Sequence, residues 1–194
     1  MNRTAETNKR DFRTKFEVTR QADNPNDFVI EGYFALYEQE TELFDGYYEI
    51  ISKGAFNNTL NNDIRALWNH NTQYVLGRNK SGTLELKLDD KGLFAVVRMP
   101  KTQYAQDLYE LVQRGDVDQA SFGFNILAED VEELASGGYR WRINEIDLHE
   151  ISVVTFPAYE NTSVQARAKQ VEQLQQRKLD TKKLELSKRL ERFK

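Results

Sequence analysis

The chain has 194 residues, 39% of them hydrophobic and 30% charged, which is enough for one full domain with appendages. Eleven Phe and nine Tyr argue against a disordered chain; zero Cys excludes disulfides, thiolate zinc sites and a cysteine nucleophile; and two His, His70 and His149, argue against a histidine-rich metal site. Residues 168–194 hold nine Lys/Arg and four Asp/Glu, a net of +5 against −4 for the whole chain, so residues 1–167 carry −9. That acidic body argues against a nucleic-acid-binding domain, which needs a basic face to displace counterions.

Met1–Thr14 is polar and without periodicity, and Met1–Arg13 is too polar for a secretory signal, so residues 1–14 read as a flexible N-terminal arm. Residues 15–167 form the body, and short strand-like segments dominate it. Phe16–Arg20 and Phe28–Phe34 alternate apolar and polar positions. Gly54–Leu60 reads as a short helix that carries Phe56 into the core. Leu84, Leu86 and Leu88 share one face of a strand, Asp89–Gly92 supplies turn chemistry, and Leu93–Met99 returns as the second strand of a hairpin.

Thr102–Arg114 reads as a helix with Tyr104, Leu108, Leu111 and Val112 on one face and Gly115 at its C-cap. Ala120–Leu127 and Glu145–Phe156 are two more apolar strands. A hairpin at Gly137-Gly138 joins Val131–Leu134 to Tyr139–Ile143. Residues 168–194 lack Gly and Pro and form a basic helical tail with only a broken apolar stripe. No run of about 18 apolar residues predicts a membrane span. The fold class is β-rich α+β, a barrel or sandwich with a few helices outside it.

Three polar residues interrupt apolar segments. His70 ends the run Ile64–Trp68, Ser121 stands before Phe122-Gly-Phe, and Glu150 heads the strand Ile151–Phe156. A hydroxyl, an imidazole and a carboxylate are the parts of an acyl-transfer triad. Residue types alone leave the plain readings open: a core or surface histidine beside Trp68, an ordinary serine, and a glutamate paired with one of 27 cations. Gly-x-Ser-x-Gly is absent around Ser121, and the chain order His, Ser, acid matches none of the chymotrypsin, subtilisin or α/β-hydrolase orders.

Six blocks in order resemble the tailed-phage prohead protease family, capsid-maturation serine peptidases whose fold is similar to herpesvirus assemblin. They are Glu31–Ala35, Glu49–Phe56, Leu67–Asn71 with Val75–Arg78, Gly92–Phe94, Arg114–Phe124 and Leu148–Tyr159. The resemblance covers about residues 28–167. It implies a herpesvirus-protease-like barrel, His70 as general base, Ser121 as nucleophile and Glu150 as the orienting acid. His149 is the rival, because assemblins use a second His in that role. Neighbouring strand residues point to opposite faces, so at most one of the two faces His70.

The resemblance further implies an endopeptidase that cleaves scaffold segments of the major capsid protein, and sometimes itself, inside the assembling prohead in the bacterial cytoplasm. Its expected partners are the capsid protein, other prohead components and a second copy of the chain as a dimer, with no cofactor and no metal. The alternative is a catalytically silent internal scaffold or capsid assembly factor of the same fold. Backbone N–H groups near Ser121 or near Gly77-Arg78 are candidate oxyanion donors, and Arg78 reads equally well as a structural cation.

Overall fold

The computed structural model describes residues 8–13, 16–20, 28–156 and 161–191. The chain divides into two compact units, residues 1–158 and 159–194. In the first unit the strands are β1 (Asn8–Arg13), β2 (Glu17–Arg20), β3 (Phe28–Leu36), β4 (Thr41–Phe44), β5 (Tyr47–Ile51), β6 (Arg65–Trp68), β7 (Asn71–Arg78), β8 (Leu84–Leu88), β9 (Gly92–Arg98), β10 (Gln119–Glu133) and β11 (Tyr139–Val154). One α-helix, α1 (Gln103–Arg114), lies among them; the second unit holds α2 (Asn161–Glu191). Among the described residues no helix is long and apolar enough to cross a membrane.

The strands form two sheets. Seven of them make a large sheet that curls into a half barrel, in the order β1-β10-β11-β5-β4, with β6 and β7 joined to β11 through β6; β2-β3-β9-β8 make the smaller one. Both sheets contribute to one core, with Ile30, Phe34, Leu93 and Val97 from the small sheet meeting Ala120, Phe122, Ile151 and Val153 from the large one. Each such side chain taken out of water stabilises the fold by about 1.5–3 kcal/mol for the larger apolar types. The expected barrel is thus present in an open, two-sheet form.

The β8–β9 hairpin and α1 follow the pattern of their residues. The Asp89 carboxylate accepts the N–H groups of Lys91 (2.7 Å) and Gly92 (3.1 Å), closing the turn. Helix α1 ends at Gly115, whose φ of 81° is the left-handed conformation glycine adopts without a Cβ penalty, and its N–H reaches the carbonyls of Leu111 and Val112. Phe56, Phe122 and Phe124 lie in the core.

Four expectations are revised. Gly54–Leu60 is not a helix but part of a run of turns over residues 53–61, closed by bonds such as Asn57 N–H to Gly54 O and Thr59 N–H to Phe56 O. The run fills the gap between β5 and β6 along the edge of β11. Ser52 N–H donates to Ile143 O, Ile146 N–H to Ala55 O, and Leu148 N–H to the buried Thr59 hydroxyl at 2.6 Å. Those strand groups need partners, and a closed helix would have kept its own carbonyls for itself.

Second, Asn8–Arg13, within the expected arm, pair antiparallel with β10, Asp11 lying opposite Ser121. A strand held by its backbone needs no apolar alternation. Arg10 secures it through a buried, two-pronged ion pair with Glu49, Nη2 to Oε2 at 2.7 Å. Third, the separate apolar strands and the Gly137-Gly138 hairpin are one continuous hairpin, β10–β11. Fourth, α2 begins at Asn161 rather than at residue 168, because the change in charge at 168 does not interrupt helical backbone.

Candidate active site

Strand alternation sets the site. On β10, Ala120, Phe122 and Phe124 face the core, which turns Ser121 and Gly123 to the other side. On β11, Ile151 and Val153 face the core, and Ser152 and Glu150 share the opposite side. The register brings these together, with Ser121 opposite Ser152 and Gly123 opposite Glu150. The next pair is Phe124 with Leu148, so His149 is the extra residue of a β-bulge. The bulge leaves His149 partly exposed, 3.9 Å from the Asp147 carboxylate.

His70 reaches the same face from a tight turn. β6 runs parallel to β11, with Leu67 beside Ser152 and Trp68 beside Val153, and β7 returns with Asn71 opposite Trp68. Only Asn69 and His70 remain for the turn, and both are left-handed, with φ of 53° and 58°. Two successive positive φ values define the type I′ turn that suits the twist of a hairpin, and Asn and His tolerate that region better than most side chains. The turn is tied to the end of β11: Asn69 N–H donates to Val153 O at 2.9 Å, and Thr155 N–H donates to the Asn69 side-chain oxygen at 2.9 Å.

The imidazole of His70 is 8% exposed and its Nδ1 lies 2.6 Å from Glu150 Oε1; the Glu150 side chain is 13% exposed. The Ser152 hydroxyl donates to Glu150 Oε2 at 2.5 Å and accepts the His70 backbone N–H at 3.2 Å. An ionised carboxylate only accepts, so Nδ1 is the donor in this contact, and in the neutral ring the lone pair is then on Nε2. Ser121 is fully buried, and its Oγ has no hydrogen-bond partner among the described residues.

The structure therefore brings His70 and Glu150 into direct contact and sets Ser121 one strand away, across from Ser152, without a hydrogen bond to His70. It keeps His149 out of the cluster. Arg78 forks onto Asp63, with Nε at 2.6 Å and Nη2 at 2.7 Å, and its backbone N–H donates to Thr83 Oγ1 at 2.9 Å, so both its side chain and its amide serve structure. That guanidinium holds the Asp63 carboxyl below its ordinary range. Among the described residues no group of three or more His, Asp or Glu is arranged to hold a metal ion.

Two contributors escaped the sequence reading. Ser152 and Gly123 were each two residues from a singled-out position, and strand periodicity alone puts Ser152 on the face of Glu150 and Gly123 on that of Ser121.

A histidine–glutamate contact and a buried serine on the neighbouring strand, carried by a β-rich two-sheet scaffold, supply the residue types of an acyl-transfer triad. The chain belongs to the caudovirus prohead serine protease family, whose profile matches residues 14–177. It is 34% identical over 143 residues to the prohead protease of Enterobacteria phage HK97, a match that covers 71% of this chain and 59% of that protein's length. Its fold is similar to that of the bacteriophage T4 capsid assembly protease, with a TM-score of 0.50 at 10% identity over 77% of this chain and 97% of that one.

Proposed function

We propose that the chain is a serine endopeptidase of phage capsid maturation, with Ser121 as nucleophile, His70 as general base and Glu150 as the carboxylate that orients the imidazole. The observation that carries this is the 2.6 Å contact between His70 Nδ1 and Glu150, which fixes the tautomer a general base requires. Ser121 Oγ attacks the scissile carbonyl carbon as its proton passes to His70 Nε2. The proton then goes to the leaving amine, and water attacks the acyl-enzyme with His70 again as base. The substrates are scaffold segments of the major capsid protein and, in self-processing, this chain's own termini. The setting is the interior of the assembling prohead in the bacterial cytoplasm, among other prohead components and as a dimer.

One observation favours the silent-scaffold reading: Ser121 Oγ is not hydrogen-bonded to His70. A serine hydroxyl turns about a single χ angle, and catalytic contacts often tighten only when substrate binds. Co-expression with the capsid protein, read by mass spectrometry of both chains, separates the two readings. Cleavage by the wild type that is lost in Ser121→Ala and in His70→Ala, with melting curves of folded protein, is the expected result. Cleavage that persists in Ser121→Ala overturns the nucleophile assignment.

A further inference from the structure

The hydrogen bonds around the His70–Glu150 contact each run in one direction. Glu150 Oε1 takes the imidazole Nδ1–H, and Oε2 takes the single hydroxyl proton of Ser152. The Ser152 oxygen takes the backbone N–H of His70, closing a ring of three hydrogen bonds between the turn and β11. Ser152 is fully buried, so its hydroxyl has no water to fall back on. With its proton spent on the carboxylate, it is a brace rather than a second nucleophile.

The opposite strand completes the arrangement. Gly123 is paired with Glu150, and the atoms nearest to a Cβ built on Gly123 all belong to the Glu150 side chain: Oε1, with Cδ and Cγ at 3.1 Å. Gly123 is not among the glycines in the left-handed region, so its backbone does not demand glycine. Its missing side chain is the space that the carboxylate occupies.

We propose that Ser152 and Gly123 are positioning residues for the His70–Glu150 pair: Ser152 fixes the carboxylate and the turn by hydrogen bonding, and Gly123 leaves the carboxylate room to lie across β10. This rests on the peptidase assignment. It adds two residues that act through Glu150 and never touch substrate.

The test uses the full chain with capsid protein as substrate, and the His70 Nδ1–H proton resonance in a Ser121→Ala background, assigned by its disappearance in His70→Asn. Ser152→Ala is expected to lower kcat by about ten- to a hundredfold with KM little changed, and to move or broaden that resonance. Gly123→Ala is expected to lower kcat by about a hundredfold, as a shift of about 1 Å in a catalytic group does. In a Glu150→Ala background Gly123→Ala is expected to cost nothing further, because its new methyl then meets no carboxylate.

An equal loss from Gly123→Ala in both backgrounds overturns the role of Gly123, since it would mean general damage to β10. A wild-type kcat and an unmoved resonance in Ser152→Ala overturn the role of Ser152. A wild-type protein that cleaves nothing removes the peptidase assignment, and the resonance still decides whether these two residues hold the pair.

Discussion

Glu150 and His149 are adjacent in the chain, yet a single bulged residue sends one to the imidazole and the other toward solvent. Under the proposed chemistry, Glu150→Gln loses activity by roughly 10²–10⁴-fold, because an amide facing Nδ1 favours the wrong tautomer. His149→Ala keeps a rate close to wild type. Initial rates of capsid-protein cleavage decide it, and a reversed ranking would reassign the third member. The competition between these two residues was visible in the sequence, and period-two alternation explains why only one can serve. What alternation cannot reveal is the bulge, which is a property of the pairing with β10 and belongs to neither strand alone.

At the level of elements, legibility followed burial. The β8–β9 hairpin and α1 carry their own patterns, because one face of each is buried and the turn or cap residues are local. What the sequence hides is the continuity of β10 through Ala128–Asp130, since the flanking Leu127 and Val131 are exposed and only the ladder to β11 keeps that stretch extended. The turns over residues 53–61 read as a helix despite the burial of Ala55 and Phe56, because the β11 groups that draw on Ala55 O and the Thr59 hydroxyl lie far away in sequence.

β1 is the sharpest case, as its anchor is a charge pair 39 residues apart in sequence. Glu49 is 2% exposed and Arg10 9%, so removing one partner strands the other in the interior. Glu49→Ala is expected to destabilise the protein by about 3–5 kcal/mol in denaturant titration, against which Arg10→Lys should fall short of wild type by losing the two-pronged geometry. A loss near zero for Glu49→Ala would mean that the backbone ladder to β10, and not the Arg10–Glu49 pair, holds β1.

Across the whole molecule, a net charge of −4 conceals carboxylates that are individually held in the ionised form. The Arg142 guanidinium depresses Glu38, the Arg78 guanidinium depresses Asp63, and the Tyr33 hydroxyl depresses Asp89. Each binds its proton less readily folded than unfolded. Their stabilising contribution is therefore present above the ordinary carboxyl pKa of about 4 and is lost as pH falls through the lower folded values. The melting temperature should decline on acidification below about pH 4, and less steeply in Asp89→Asn, as followed by circular dichroism. A melting temperature that climbs over that interval would reverse the sign assigned to these groups.

The left-handed pair Asn69-His70 bears on how this chain can change over generations. The dihedral geometry at position 70 is one that glycine and asparagine enter more readily than histidine does, so the native residue holds its place against a conformational preference. Under the proposed mechanism, a single codon change to asparagine abolishes proton transfer while keeping the hairpin that carries it. A chain could thus pass from shell-processing hydrolase to inert building block in one step, without ever visiting a misfolded ancestor.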